Sequence, residues 1–339
     1  MPDRSTRREF LQNSTMAMAA GLVSVPNLAR ATENVALANA DPAADAAAAS
    51  IPIVDTHQHL WDLSKFHLPW TKGNEALGKS FVMADYLAAT AGLNVAKTVY
   101  MEVDVHPSQQ VREAEYVIDL CQKPDNPMVA AVISGRPGTA EFADYITKFK
   151  GSPYIKGVRQ VLHVEETPPD FCVQPQFVKS VQLLGELGMC FDLCMRSEDL
   201  PQGEKLVAQC PNTRFVVDHC GNMDPKETNE AKRNVWKDAM KALAARPNVV
   251  CKISGIVASA KKDWTPADLA PVVLPSIEIF GIDRVMFAGD WPVCTLAATF
   301  KQWVEALQII VKDFPVENKK KLFHDNAVKF YGLVDKPKA

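Results

Sequence analysis

After residue 50 the chain repeats one pattern, a short apolar run followed by a longer amphipathic one. Eight runs read as strands, at 53–59, 95–103, 128–134, 155–162, 189–196, 214–220, 249–255 and 284–290. β-Branched and apolar residues dominate most of them, as expected of parallel strands covered by helices. Apolar spacing of three and four predicts helices over 108–122, 176–187, 229–245, 271–280 and 296–314. A last helix over 317–331 would pack across one end. Pro153, Pro211, Pro247 and Gly281 stand just ahead of strands, where helix breakers belong. Eight strands with intervening helices in about 290 residues predict an α/β protein, a single (β/α)8 barrel of the TIM type spanning 51–333. An open, doubly wound sheet would alternate in much the same way.

The amino terminus changes this picture only at its edge. Thr6-Arg7-Arg8-Glu9-Phe10-Leu11-Gln12 has a twin-arginine pattern, an alanine-rich apolar stretch follows over 15–25, and Ala29-Arg30-Ala31 offers small residues for cleavage. Residues 1–31 are therefore expected to be a signal for the twin-arginine (Tat) export machinery, met transiently on the way to the periplasm. Residues 32–50, rich in Ala, Asn, Asp and Pro, read as a linker. The apolar stretch falls short of the ~20 residues that span a bilayer, and no later segment reaches that length without charges.

The formal net charge is −3, and residues 1–31 contribute four arginines against Asp3 and Glu9, which leaves −5 for the remainder. No basic block exists, which argues against nucleic acid or an anionic membrane as partner. The pattern is compatible with a monomer or a homodimer. None of the eight cysteines (Cys121, Cys172, Cys190, Cys194, Cys210, Cys220, Cys251 and Cys294) belongs to a Cys-x-x-Cys pair, and four lie in strand-like runs. Buried free thiols are expected, which suits a chain that folds before export.

Candidate chemistry gathers at the strand ends. His57 and His59, at i and i+2 of the first run, face the same way on a strand. The eighth run ends in Asp290, between Gly289 and Trp291-Pro292. In a closed barrel these runs are neighbours, and two imidazoles and a carboxylate would converge at one mouth as a hydrolytic site. Other strand ends add Glu102, Asp104 and His106; Arg159 and Gln160, with Lys156 deeper; Asp192 and Arg196; Asp218 and His219; and Lys252 and Ser254. So many charges exceed what barrel filler tolerates, because unpaired buried charge is costly. They imply a polar ligand. Each residue also has a plainer reading: the histidines bonded to backbone, Asp290 capping a helix, and Lys156, Arg159 and Arg196 paired with Asp192 or Glu102. Trp61, Trp70 and Trp291 could stack on a sugar ring or belong to the core. His67, His163 and His324 read as loop or surface residues.

Taken in order, the stretches IVDTHQHLWD, IKGVRQVL with downstream PPDF, LGMCFDL, RFVVDHCGNMD, PNVVCKISG, DRVMFAGDWPVC and NAVKFYGL resemble the amidohydrolase superfamily (amidohydrolase family 2), over about residues 51–333. The resemblance is to its sugar-lactonase branch, which includes fuconolactonases, rhamnonolactonases and pyrone-dicarboxylate lactonases. It implies hydrolysis of a lactone, usually of a sugar acid, in carbohydrate catabolism. By that resemblance Asp290 is the general base, and His57, His59 and His219 hold a divalent ion or polarise the carbonyl directly. One divalent metal is implied, a weakly held or dispensable zinc on His57, His59 and Asp290, which would lower the pKa of bound water toward ~7. Arg159, Gln160, Arg196, Lys156, Glu102, Trp61 and Trp291 are the implied substrate-binding residues, with Asp290 and His219 catalytic. The chain departs from the superfamily where Asp192 stands for a fifth-strand histidine and Arg159-Gln160 for a bridging lysine or carboxylate. A two-metal site is not expected. The branch often has His where Gln160 stands. A metal-dependent non-oxidative decarboxylase and a non-catalytic ligand-binding barrel are the competing readings.

Overall fold

A computed structural model describes residues 51–336, so the predicted signal over 1–31 and linker over 32–50 lie outside the described residues. Eight parallel strands form one sheet in the order β1 to β8: β1 (Ile53–Gln58), β2 (Val95–Met101), β3 (Met128–Ser134), β4 (Ile155–Val161), β5 (Cys190–Cys194), β6 (Arg214–Val217), β7 (Val249–Ile253) and β8 (Val285–Phe287). A helix follows each: α1 (Met83–Ala89), α2 (Gln110–Gln122), α3 (Phe142–Ile146), α4 (Pro175–Glu186), α5 (Leu200–Gln209), α6 (Glu230–Ala244), α7 (Pro266–Phe280) and α8 (Phe300–Ile310). The expected (β/α)8 barrel is present. Its ends meet where Gln58 bridges Trp291, where the His59 N–H donates to the Trp291 carbonyl at 2.8 Å, and where Thr56 Oγ1 donates to the Phe287 carbonyl at 2.8 Å.

Because side chains alternate along a strand, each strand feeds two cores. Outward residues such as Ile133, Val158, Leu193, Val217 and Phe287 pack under the helices. Inward residues Val54, Val99, Ala130, Val216 and Met286 meet Ala327, Tyr331 and Leu333 from the carboxyl-terminal segment. That segment, α9 (Val316–Lys320), a π turn and α10 (Asn326–Tyr331), closes the amino-terminal end of the barrel, where Asn326 Nδ2 donates to the Ile282 and Val285 carbonyls.

Three differences from the sequence pattern bear on the site. The seventh helix starts at Pro266 rather than 271, because a Thr265/Asp268 capping box begins it, and Pro271 and Pro275 lie inside it. The helices α1, α3 and α5, five to ten residues long, were not among those expected from the sequence pattern. Strands β6 and β8 stop at Val217 and Phe287, which leaves Asp218, His219 and Asp290 in turns beyond them. No described helix is long and apolar enough to cross a membrane. All eight cysteines are buried and reduced.

Candidate active site

The first strand, the loop after β6 and the loop after β8 bring four side chains to one point at the carboxyl end of the barrel. His57 Nε2, His59 Nε2 and His219 Nε2 lie 3.7, 3.4 and 4.0 Å from the same atom, Asp290 Oδ1. All four residues are at most 3 % exposed. His219 and Asp290 have left-handed backbones, with φ of 55° and 53°. Non-glycine residues seldom adopt that conformation, and it clusters at functional sites. Two glycines make room. A Cβ on Gly255 would stand 2.3 Å from the His219 ring, and one on Gly289 would stand 2.7 Å from Asp55 Oδ2.

Each imidazole is oriented from behind. His59 Nδ1 meets the Met101 carbonyl at 3.0 Å. A carbonyl only accepts, so Nδ1 carries a proton and Nε2 is the nitrogen turned toward Asp290. His219 Nδ1 is 2.8 Å from Ser254 Oγ. His57 Nδ1 is 3.5 Å from Asp218 Oδ1, while Arg159 Nη1 donates to its Nε2 at 3.2 Å. Burial holds the His57 pKa well below the usual histidine value, although Asp218 pulls the other way.

A buried chain of charges lies beneath. Lys252 Nζ contacts Asp192 Oδ2 at 2.5 Å and Asp218 Oδ1 at 3.1 Å. Burial raises the Asp192 carboxyl to about 6, against the pull of Lys252. Burial also pushes Asp218 up, but Lys252 and His57 outweigh it and hold that carboxyl well below the usual range. Arg159 is gripped by Glu102, through Nε to Oε1 at 2.7 Å and Nη2 to the Glu102 carbonyl at 2.8 Å. Glu102 in turn accepts from the Asp104 N–H at 2.7 Å and Ser134 Oγ at 2.8 Å.

The structure therefore brings together His57, His59, His219, Asp290, Arg159 and Glu102. It places the other expected substrate-binding residues elsewhere. Lys156, at the start of β4, sits near Arg214 at the opposite end of the barrel, where burial and that arginine lower its pKa. Gln160 shares its strand face with Val158 and pairs with Leu193, so it turns toward the helix layer. Arg196 ties the loop after β4, contacting Asp199 and donating to the Val164 and Thr167 carbonyls. Trp61 and Trp291 are buried in an aromatic cluster with Trp70, Phe81 and Tyr86, at ring separations of 5.0 to 5.5 Å. Of the tryptophans' two open readings, core is the one realised for this pair. Among the remaining histidines, His67 and His106 stack on the exposed surface, and half-buried His163 meets Cys194 Sγ at 3.3 Å.

Asp55, beside the His-x-His pair, fits a constructed site in the sequence, but its partners were not legible there, and Glu113 escaped the sequence reading altogether. Asp55 joins β1 to the loop after β8: its Oδ1 accepts from the His57 N–H at 3.0 Å and the Gly289 N–H at 2.7 Å, and its Oδ2 from Tyr86 at 2.8 Å. Glu113 reaches from α2 to the ends of β2 and β3, accepting from the Val103 N–H at 3.1 Å, the Ser134 N–H at 3.2 Å and Tyr100 at 3.0 Å. An acid on the buried stripe of an amphipathic helix was the one available signal. Among the described residues, two groups have ligand atoms close enough to share a cation, within 4.8 Å of one another in each: His57, His59 and Asp290, and His57, Asp218 and His219.

A family model described as amidohydrolase matches residues 54–333. An L-fucono-1,5-lactonase of Burkholderia multivorans is 28 % identical over 263 residues, covering 74 % of this chain and 85 % of that protein. An L-rhamnono-gamma-lactonase of Scheffersomyces stipitis is 24 % identical over 335 residues, covering 83 % and 98 %. A solved amidohydrolase from Burkholderia multivorans with bound zinc has a similar fold, with a TM-score of 0.72 at 22 % identity over 84 % of this chain and 100 % of that one.

Proposed function

The chain belongs to the amidohydrolase family, and from that premise we propose that it hydrolyses a lactone, most plainly a sugar-acid lactone. The observation that carries the reading is the convergence of three imidazole Nε2 atoms on one oxygen of Asp290. The lactonases among its relatives support the substrate class.

In this reading Asp290 takes a proton from a water molecule as the water oxygen bonds to the lactone carbonyl carbon. The oxyanion that forms needs fixed positive charge, which Arg159 supplies and Glu102 holds in position. The ring C–O bond then breaks, and Asp290 returns the proton to the leaving alkoxide. A hydroxy acid is released.

The donor set suits a divalent ion. His59 Nε2 and the Asp290 carboxylate face each other at 3.4 Å, and with His57 they offer two nitrogens and an oxygen within reach of one cation. His57, His59 and Asp290 would hold that ion, which would act as a Lewis acid on the carbonyl and lower the pKa of water. We assign zinc to this site on the strength of its nitrogen and carboxylate donors.

The test is a pH-indicator assay on a panel of sugar-acid lactones, run before and after chelation, with metal content measured on the same protein. Acid release on at least one lactone is expected. Carbon dioxide release from an aromatic or unsaturated acid, without lactone hydrolysis, would transfer the site to the decarboxylase reading. Ligand-induced thermal shifts without turnover of either kind would make it a binding barrel. We further propose, from residues 1–31 alone, export of the folded protein by the twin-arginine route. A periplasmic chain beginning near residue 32 is the expected product, and an intact amino terminus in the cytosol would refute export.

A further inference from the structure

We infer that Arg159 is a resident cation that occupies the inner lone pair of His57, so that a divalent ion and the guanidinium compete for one corner of the site. The inference deepens the hydrolase reading and rests on it for the meaning of the site, but its central measurement does not depend on turnover.

The argument begins with how little freedom Arg159 has. It is 2 % exposed, and two of its nitrogens are spent on one residue, Nε on the Glu102 carboxylate and Nη2 on the Glu102 carbonyl. A planar guanidinium held at two points has its third nitrogen aimed by geometry rather than by choice. That nitrogen, Nη1, points at His57 Nε2 at 3.2 Å, with Asp218 Oδ2 at 3.6 Å and Cys194 Sγ at 3.7 Å beside it. Arginine is a donor only and does not give up its proton in a protein. The contact therefore requires the lone pair of His57 Nε2, the electron pair that would otherwise bind a metal. Asp218, 3.5 Å from Nδ1, is an acceptor beside the ring nitrogen that carries the proton.

His59 differs. Its Nδ1 is spent on the Met101 carbonyl, and its Nε2 faces Asp290. The two members of the His-x-His pair thus have unequal surroundings: His59 turns Nε2 to the carboxylate, and His57 presents its Nε2 lone pair to a fixed positive charge. An ion entering between His57, His59 and Asp290 must displace the Arg159 contact and share a buried space with a permanent cation. The consequence is a site that binds metal through His59 and Asp290 and only weakly through His57. Meanwhile the guanidinium provides one positive charge beside the reacting carbonyl in the metal-free protein.

The experiment measures Co²⁺ affinity of the purified chain by competition with a chromophoric chelator, together with the visible Co²⁺ spectrum. Arg159→Lys keeps a positive charge opposite Glu102 but lacks a second nitrogen to reach His57. The expected result is at least tenfold tighter Co²⁺ binding in Arg159→Lys than in the wild type. Adding His57→Asn should remove that gain. Equal affinity in the wild type and a folded Arg159→Lys overturns the inference, as does an absence of Co²⁺ binding in both. If Arg159→Lys fails to fold, the wild-type background decides. There His59→Asn should weaken Co²⁺ at least tenfold and His57→Asn less than threefold, and equal losses overturn the inference. Lactone hydrolysis is assayed on the same samples. An affinity gain without hydrolysis of any lactone would sink the hydrolase reading and leave this one, and hydrolysis with unchanged affinity would do the reverse.

Discussion

At the amino-terminal end of the barrel, Val54, Val99, Ala130, Val216 and Met286 fill the interior and Tyr331 and Leu333 close it, with hydrocarbon against hydrocarbon. At the carboxyl end β4, β5, the turn after β6 and β7 present Arg159, Asp192, Asp218 and Lys252, each at most 2 % exposed. The two layers belong to one barrel but answer to different physics. Burying apolar surface stabilises by about 25 cal/mol per Å², without regard to orientation. Burying charges costs several kcal/mol per ion, and well-formed pairs do little more than offset that cost. The lower layer is therefore accounted for by folding. The upper layer is not, and its charges converge on His57, His59, His219 and Asp290, where a reaction would use them.

Substitutions in the two layers should fail in different ways. The largest effect is expected from Asp290→Asn, which should lower kcat by roughly 10²–10⁴ while the melting temperature stays within a few degrees. Activity above a tenth of wild type would remove Asp290 from the role of base. Next comes Lys252→Met, which leaves Asp192 and Asp218 facing each other without their shared cation. Breaking a buried pair in this way costs about 3–5 kcal/mol, to be read from urea unfolding. A near-neutral result would mean that the charged layer relaxes more easily than its burial implies.

Met286→Ala opens a cavity in the lower layer and should cost about 2–4 kcal/mol, with kcat held to within about twofold. A large loss of kcat there would show that the layers are not separable. The smallest effect concerns pH. Burial and the nearby Glu102 charge raise the Glu113 carboxyl from 4.5 to about 7. The folded chain thus keeps a proton that the unfolded chain has released. The stability this group contributes is full below pH 4.5 and is lost as pH rises through 7. Glu113→Gln has no such titration, so its stability relative to wild type should improve across that window by at most about 3 kcal/mol. A constant difference between the two proteins from pH 4.5 to 7 would show that Glu113 is not raised.

Asp55 and Gln160 show where reading from sequence stops. Asp55 sits in plain view two residues before His57, but its partners Gly289 and Tyr86 are 234 and 31 positions away. Only closure of β1 against the loop after β8 makes it a brace. Gln160 follows Arg159 and looks equally suited to a ligand, yet one step along a strand moves a side chain to the other face. Trp61 and Trp291 mislead for a related reason. An aromatic ring near a site can serve a ligand or the core, and three aromatic residues, Trp70, Phe81 and Tyr86, had already claimed this pair.

Period and spacing along the chain decided the number of strands, the longer helices between them and the same-face pairing of His57 with His59, because these follow from local backbone geometry. Asp290 was legible too, as an acid at the end of the eighth run. Tertiary structure alone decided which carboxylate each imidazole faces and that Arg159 turns its last nitrogen to His57. It also decided that Lys156 lies at the wrong end of the barrel and that the charged layer is compensated pair by pair. Such contacts join residues as far apart as His57 and Arg159, 102 positions in sequence. Their distances depend on how eight twisted strands close, which local pattern does not carry.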